Sequence, residues 1–373
     1  MKIYLVCAWY EVGMRHYSYA ILKNLNDHLP EDVQLTVTLV LRKQPTDYPE
    51  LKSLSRIVID YVVIENNALN IASKFFPIFF DLYVYRMFRK LNADMIYILF
   101  GGLFFNNLNF LKRRAKILST IHDLNPHEKS KQGLKDKILS YLENKRDRNL
   151  VSKSPYILTN SLTQFNQLSL LKGVDRVFYA NMPTFVNENM ADGVEIVSEL
   201  IGIKNYILFF GRIDKYKGLD ELIDTHLNSQ SDEILVIAGG GKFWFEIPKS
   251  NRLIIINRYI KDEELKTLFS DAKICVMPYR NITQTSLTSI PFFFGCPVIL
   301  SNINEFAGIA SEGGSLVCNF SDKSDYLLKI NELNNEKVRK DIISKQIQFY
   351  KSKYDAKAFT KQLASIFEKV LLD

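Results

Sequence analysis

The chain has 373 residues, 47% of them apolar and 24% charged, which excludes disordered and fibrous classes and is too long for one ordinary core. No stretch reaches the roughly 20 apolar residues of a membrane-spanning helix, and the four cysteines, Cys7, Cys275, Cys296 and Cys318, suit neither a zinc site nor a disulfide framework, so they read as buried thiols of a reducing cytoplasm. The net charge of +7 is uneven: residues 1–185 carry 25 Lys and Arg against 16 Asp and Glu, a net +9, and the remainder is −2, which points to an anionic partner surface for the first half.

In chain order, the opening MKIYLVCAWYE has no small-residue cleavage site and reads as a first buried strand, residues 2–8, rather than as a signal peptide. A turn with Gly13 leads into an amphipathic helix over 14–26. Strands follow at 34–41, 57–64, 95–100, 116–121 and 156–160, each apolar on both faces, with helical stretches such as 134–149 between them. Three segments mix aromatics with cations: 73–90, with Phe75, Phe76, Phe79, Phe80 and Phe88 among Lys74, Arg86, Arg89 and Lys90; 100–116, with Phe104, Phe105 and Phe110 before Lys112, Arg113 and Arg114; and 129–148, which holds seven cations. Aromatics beside cations are how interfacial helices lie in a headgroup layer.

A break falls at Asn181-Met182-Pro183, and residues 187–204 are polar without clear periodicity. A second strand series is expected at 206–210, 234–238, 253–256, 274–277, 298–301 and 315–318. The last segment, 355–372, reads as a helix capped by Asp355 with Phe359, Leu363, Phe367 and Val370 on one face. The pattern predicts an α/β protein of two doubly wound, Rossmann-like domains facing across a cleft. They span 1–182, with 355–373 packing back on it, and 183–354.

Ligands of such sheets sit at the carboxyl ends of the strands. In ILFFGRIDKYKGLDELI a strand ends at Gly211, Arg212 and Lys217 follow, and a helix starts near Leu219. Two cations at a helix start suit a diphosphate; a solvated basic loop is the plainer reading. In VMPYRNITQTSLTSIPFFFGCPVIL, Gln284, Thr285 and Ser286 stand where a helix is expected to begin, as a second anion site or an ordinary N-cap. His122 follows the strand 116–121 and is either a sugar-contacting group or a satisfied structural histidine; His127 is a weaker candidate. Gly239-Gly240-Gly241 allows close backbone approach to a ligand or makes a tight turn. No Asp-x-Asp, H-E-x-x-H, P-loop or G-x-S-x-G occurs, so no metal site and no cofactor are expected.

Taken together, Gly13, the 117–127 segment, the Gly211–Gly218 motif, Gly239–Gly241, residues 257–265 and the 278–300 segment resemble the GT-B glycosyltransferases of family 4, the retaining group that includes many bacterial polysaccharide enzymes. The resemblance implies a UDP- or GDP-linked sugar donor whose diphosphate is held by Gly211, Arg212 and Lys217. His122 would lie near the transferred sugar, and the backbone around Tyr259 and Ile260 would meet the base. Gly13, Gly241, Gln284, Thr285 and Ser286 would complete the donor site. It also implies transfer to a lipid-linked or oligosaccharide acceptor in surface-polysaccharide synthesis, by a protein peripheral on the cytoplasmic face of the membrane. One departure stands out: the two glutamates common in the family fall on Ile282 and Ile290, and the intervening TQTS resembles a Thr-Gln-Ser-Gly variant with Ser286 in place of the glycine. The competing readings are an inactive GT-B protein that binds a partner, and a sugar-nucleotide epimerase. Nucleic-acid binding is disfavoured, because no recognised motif accompanies the basic half.

Overall fold

The computed structural model describes residues 1–64, 78–101, 108–124, 148–282 and 285–373. The chain divides into two compact units: Met1–Pro183 with Ala356–Asp373, and Thr184–Asp355. The first contains a parallel sheet of β1 (Lys2–Cys7), β2 (Gln34–Leu41), β3 (Val58–Val63), β4 (Met95–Phe100), β5 (Lys116–Thr120), β6 (Tyr156–Thr159) and β7 (Val177–Tyr179). Their order is β3-β2-β1-β4-β5-β6-β7. The central strands β1 and β4 are buried on both faces, as a parallel sheet covered by helices requires.

Helix Ala356–Leu372 belongs to this unit. Its Phe359, Leu363, Phe367 and Val370 are buried, and Phe367 meets the Tyr97 ring edge-on at 5.3 Å. Thr360 Oγ1 donates to the Asn24 carbonyl at 3.1 Å, so the helix is tied by hydrogen bonds as well as by apolar burial.

The second unit contains β8 (Tyr206–Phe210), β9 (Leu235–Ala238), β10 (Leu253–Ile256), β11 (Ala272–Met277), β12 (Val298–Ser301) and β13 (Leu316–Cys318), in the parallel order β10-β9-β8-β11-β12-β13. The strand order therefore reverses between β1 and β4 in one sheet and between β8 and β11 in the other. Such a reversal opens a crevice at the carboxyl ends of the two strands, the usual ligand site of an open α/β sheet. The fold is α/β, with two Rossmann-like units.

The structure adds to the sequence reading in two places. Residues 187–204, polar and aperiodic in sequence, are anchored within the second unit. Met190, Val197 and Leu200 are buried, and a short helix, Glu188–Asp192, packs on helix Asp262–Ser270. A Cβ added at Gly193 would lie 2.4 Å from the Glu263 carbonyl oxygen. Arg258 joins Glu199 to Glu264 at 2.9 and 2.7 Å. The apolar anchors are too irregularly spaced to show a period. The second addition is β7, a three-residue edge strand absent from the strand pattern of the sequence. Among the described residues no helix is long and apolar enough to cross a membrane, and all four cysteines are buried free thiols.

Candidate functional site

The candidate site of the second unit is built from the loops that leave β8, β9, β10 and β11. Gly211 ends β8 at φ +132°. Residues Lys215–Lys217 make one turn of 3-10 helix, and Gly218, at φ +68°, turns the chain into helix Leu219–Asn228. A Cβ at Gly218 would lie 2.1 Å from the Pro278 carbonyl oxygen. Only glycine suits both that backbone conformation and that approach. The loops after β8 and β11 are thereby pressed together over the strand-order reversal.

Lys217 lies in this seam. It is 6% exposed, and Nζ donates to the Tyr279 hydroxyl at 2.5 Å. The ammonium also lies 4.0 Å from the centre of the Tyr279 ring and 5.4 Å from that of Tyr216. A Cβ at Gly211 would be 3.5 Å from Nζ, so the charge sits against the backbone end of β8. Among the described residues no carboxylate pairs with it. Burial, with the Arg212 charge adding to it, lowers the Lys217 pKa to about 7. A buried ammonium without an anion is unfavourable, and an anionic ligand at the mouth of the crevice would restore its charge.

Arg212 differs from Lys217 in exposure. Its side chain is 64% exposed and pairs with Asp214 at 2.9 Å, leaving it able to swing towards a ligand. Arg280 braces the loop: its N–H donates to the Tyr216 carbonyl at 2.8 Å, Nη1 to the Lys215 carbonyl at 3.2 Å, and its guanidinium pairs with Asp220 and Glu221, each at 2.9 Å. Tyr279 and Arg280 did not emerge from the sequence as site residues. The available signal was their place directly after β11, beside the reversal.

The glycine run after β9 lies beside the β8 loop. A Cβ at Gly239 would meet the Gly211 carbonyl oxygen at 2.1 Å, and one at Gly241 the Ile213 oxygen at 2.5 Å. Ile213 N donates to the Gly240 carbonyl at 3.0 Å, and Gly241 N to Asn257 Oδ1 at 3.0 Å. After β10, Tyr259 is exposed and Ile260 buried. Gly211, Arg212, Lys217, Gly241, Tyr259 and Ile260 thus all lie at one end of one sheet.

The segment after β11 differs from expectation. Gln284 lies outside the described residues. No helix begins at Thr285 or Ser286: the helix is Ser289–Phe293, and Ser286 is buried in the preceding turn, its carbonyl accepting from Ser289 N at 2.9 Å. Pro291 explains the shift. Proline lacks an N–H and fits only the first turn, so the helix cannot begin as early as Thr285. Ile282 and Ile290 are both buried, so the positions of the two missing carboxylates are filled by core.

In the first unit, Gly13 lies in helix Val12–His28 directly after β1. His122 is half-buried after β5. Its Nε2 donates to the Leu99 carbonyl at 2.9 Å, and the ring stands edge-on to Tyr17 at 4.7 Å. Gln164 Nε2 donates to the His122 carbonyl at 3.2 Å. Since a carbonyl only accepts, Nε2 carries a proton. His127 lies outside the described residues, as do Phe75, Phe76, Phe104, Phe105 and most of the cationic 129–148 segment. In helix Ile78–Leu91, Phe88 is buried and Phe80, Tyr83 and Tyr85 pack against the core. Only Phe79 of that helix's described aromatics is exposed, so these aromatics serve the core more than an interface.

Residues 204–336 match a family model described as Glycosyl transferases group 1. The match contains the loops after β8, β9, β10 and β11. An uncharacterised 41.2 kDa protein of a cps region in Klebsiella pneumoniae is 24% identical over 276 residues, 65% of this chain and 72% of that protein. Among solved structures, a glycosyltransferase from Rickettsia africae superposes with a TM-score of 0.68 at 13% identity, covering 99% of this chain and 98% of its own. Anabaena HepE, solved in complex with UDP, gives a TM-score of 0.67 at 12% identity, with 99% and 100% covered. These likenesses establish the fold as that of the two-unit GT-B glycosyltransferases.

Proposed function

We propose that the chain is a nucleotide-sugar-dependent glycosyltransferase whose donor binds at the carboxyl ends of β8 and β11. The observation that carries this reading is Lys217, a buried cation with no carboxylate partner among the described residues, set at the strand-order reversal within the segment that matches the glycosyltransferase family model. A donor diphosphate there would accept from Lys217 and from Arg212. Their attraction to the diphosphate strengthens as the anomeric carbon–oxygen bond breaks and negative charge grows on the leaving group. The acceptor hydroxyl oxygen forms the new glycosidic bond. Its proton passes to a phosphate oxygen of the leaving group, with retention of configuration, as in family 4. Arg212 and Lys217 supply the charge that a divalent metal would otherwise bring, so no metal is required.

UDP and GDP are the proposed nucleotides. The acceptor is a lipid-linked or oligosaccharide glycan of cell-surface polysaccharide, taken by the first unit from the cytoplasmic face of the membrane. The net +9 of residues 1–185 supports an anionic surface as partner. Fold alone does not separate sugar transfer from sugar-nucleotide epimerisation.

A panel of UDP- and GDP-sugars screened by thermal shift, followed by transfer assays on lipid-linked acceptors with and without EDTA, tests the reading. Donor-dependent product that persists in EDTA is the expected result. Interconversion of free UDP-sugars without an acceptor would favour an epimerase, and nucleotide binding without either reaction an inactive binding protein.

A further inference from the structure

The amino-terminal ends of β5, β6 and β7 lie at the opposite end of the first sheet from Gly13 and His122. Three loops meet there, entering neighbouring strands about 5 Å apart. The loop before β5 carries Lys112 and Arg113, both exposed. Helix Leu162–Lys172 leads into the loop before β7; its last turn carries Leu170 and Leu171 and the loop carries Val174, which are 89%, 72% and 64% exposed. Lys172 links the loops: its Nζ donates to the Ser152 and Ser154 carbonyls before β6, at 2.7 and 3.2 Å. Burial, with the Lys112 charge nearby, holds its pKa below the usual range.

Two consecutive, largely exposed leucines followed by a third exposed apolar side chain are costly to leave in water. Lys112 and Arg113 have no carboxylate partner among the described residues, whereas Arg176, next along the chain, is paired with Asp373 at 2.8 Å. The cations decide the occupant. A two-fold contact with a second copy would bring this cationic patch onto the same cationic patch of the other copy. A nucleic-acid backbone would meet the cations but give the leucines nothing to enter. An anionic lipid surface satisfies both, with headgroups at the cations and acyl chains around Leu170 and Leu171.

We propose that this end of the first unit, Leu170, Leu171 and Val174 flanked by Lys112, Arg113 and Lys172, is the surface that docks on anionic lipid. The proposal rests on the peripheral-membrane reading above and gives it a location, at the end of the first sheet opposite His122.

Co-sedimentation of the full chain with phosphatidylcholine vesicles, with and without phosphatidylglycerol, tests it. Wild type should partition onto the anionic vesicles only, and less in high salt. Leu170→Ser with Leu171→Ser, and Lys112→Glu with Arg113→Glu, should each weaken partitioning by about tenfold or more. The thermal midpoint should be unchanged, because the replaced side chains are exposed. If wild type binds and the leucine variant binds equally well, the location is wrong although membrane docking stands. If wild type binds neither vesicle, both fall. A wild-type dimer in sedimentation velocity that the leucine variant loses would assign the surface to a second copy and overturn the proposal.

Discussion

Lys217 donates to the Tyr279 hydroxyl at 2.5 Å, joining the loop after β8 to the loop after β11 where the strand order reverses. Tyr279 is itself buried, and its carbonyl accepts from Ser301 Oγ at 2.5 Å. The ammonium is therefore held in place before any ligand arrives. Such preorganisation matters because a charge already aimed at the leaving group costs no rearrangement during reaction.

Replacing either cation should slow transfer. Lys217→Ala or Arg212→Ala is expected to lower turnover by about a hundredfold, since losing one donor to developing charge costs about 3 kcal/mol. Steady-state kinetics of the two variants check this, and near-normal rates in both would remove the assignment.

Donor affinity should depend on pH through Lys217. Its pKa of about 7 in the free protein means that above neutrality a proton must be taken up when a diphosphate binds. Affinity for a UDP-sugar should fall by up to about tenfold per unit between about pH 7 and pH 9, and Lys217→Met should flatten the profile. Calorimetric titration across that range reads both. The stability effect has the opposite sign. From about pH 7 to the unperturbed 10.5 the unfolded chain holds the proton and the folded one does not, so this group makes the free protein more stable as pH rises.

Gly218→Ala should destabilise the second unit by about 2 kcal/mol or more, because the new methyl meets the Pro278 carbonyl at 2.1 Å on a backbone at φ +68°. Gly202, at φ +80° with nothing within 4 Å, is the control. Its alanine variant should cost only the backbone strain, about 1 kcal/mol. Chemical denaturation of the two variants separates clash from strain.

His122→Ala removes a hydrogen bond to Leu99 and an edge contact to Tyr17, and should cost about 1–2 kcal/mol of stability. If His122 also meets the transferred sugar, turnover well below the melting temperature should fall at least about tenfold. Unchanged turnover with lowered stability would make its role structural.

The strands were readable because a parallel strand buried on both faces is a continuous apolar run: β4 and β12 appear residue for residue at 95–100 and 298–301. β7 escaped because it has three residues at a sheet edge, two of them half-buried. The candidate site was readable as far as local chemistry reaches. Gly211, Arg212, Lys217 and Gly241 announce themselves by residue type at strand ends. Tyr279 does not, since a tyrosine after a strand says nothing of which ammonium it faces. The hydroxyls of Thr285 and Ser286 suggest a helix start there, but Pro291 lacks an N–H, which is the stronger constraint on where a first turn can lie. Exposure of Leu170 and Leu171 was not legible either, because leucine in a helical stretch ordinarily faces a core.

The most direct measurement is the crystallographic position of a bound nucleoside diphosphate, UDP or GDP, whichever raises the unfolding temperature more. The diphosphate is predicted within about 3 Å of Lys217 Nζ, at the end of β8 beside Gly211, with Arg212 turned from Asp214 towards it. A diphosphate bound anywhere other than the β8–β11 crevice, with Lys217 still on Tyr279 alone, would contradict the account.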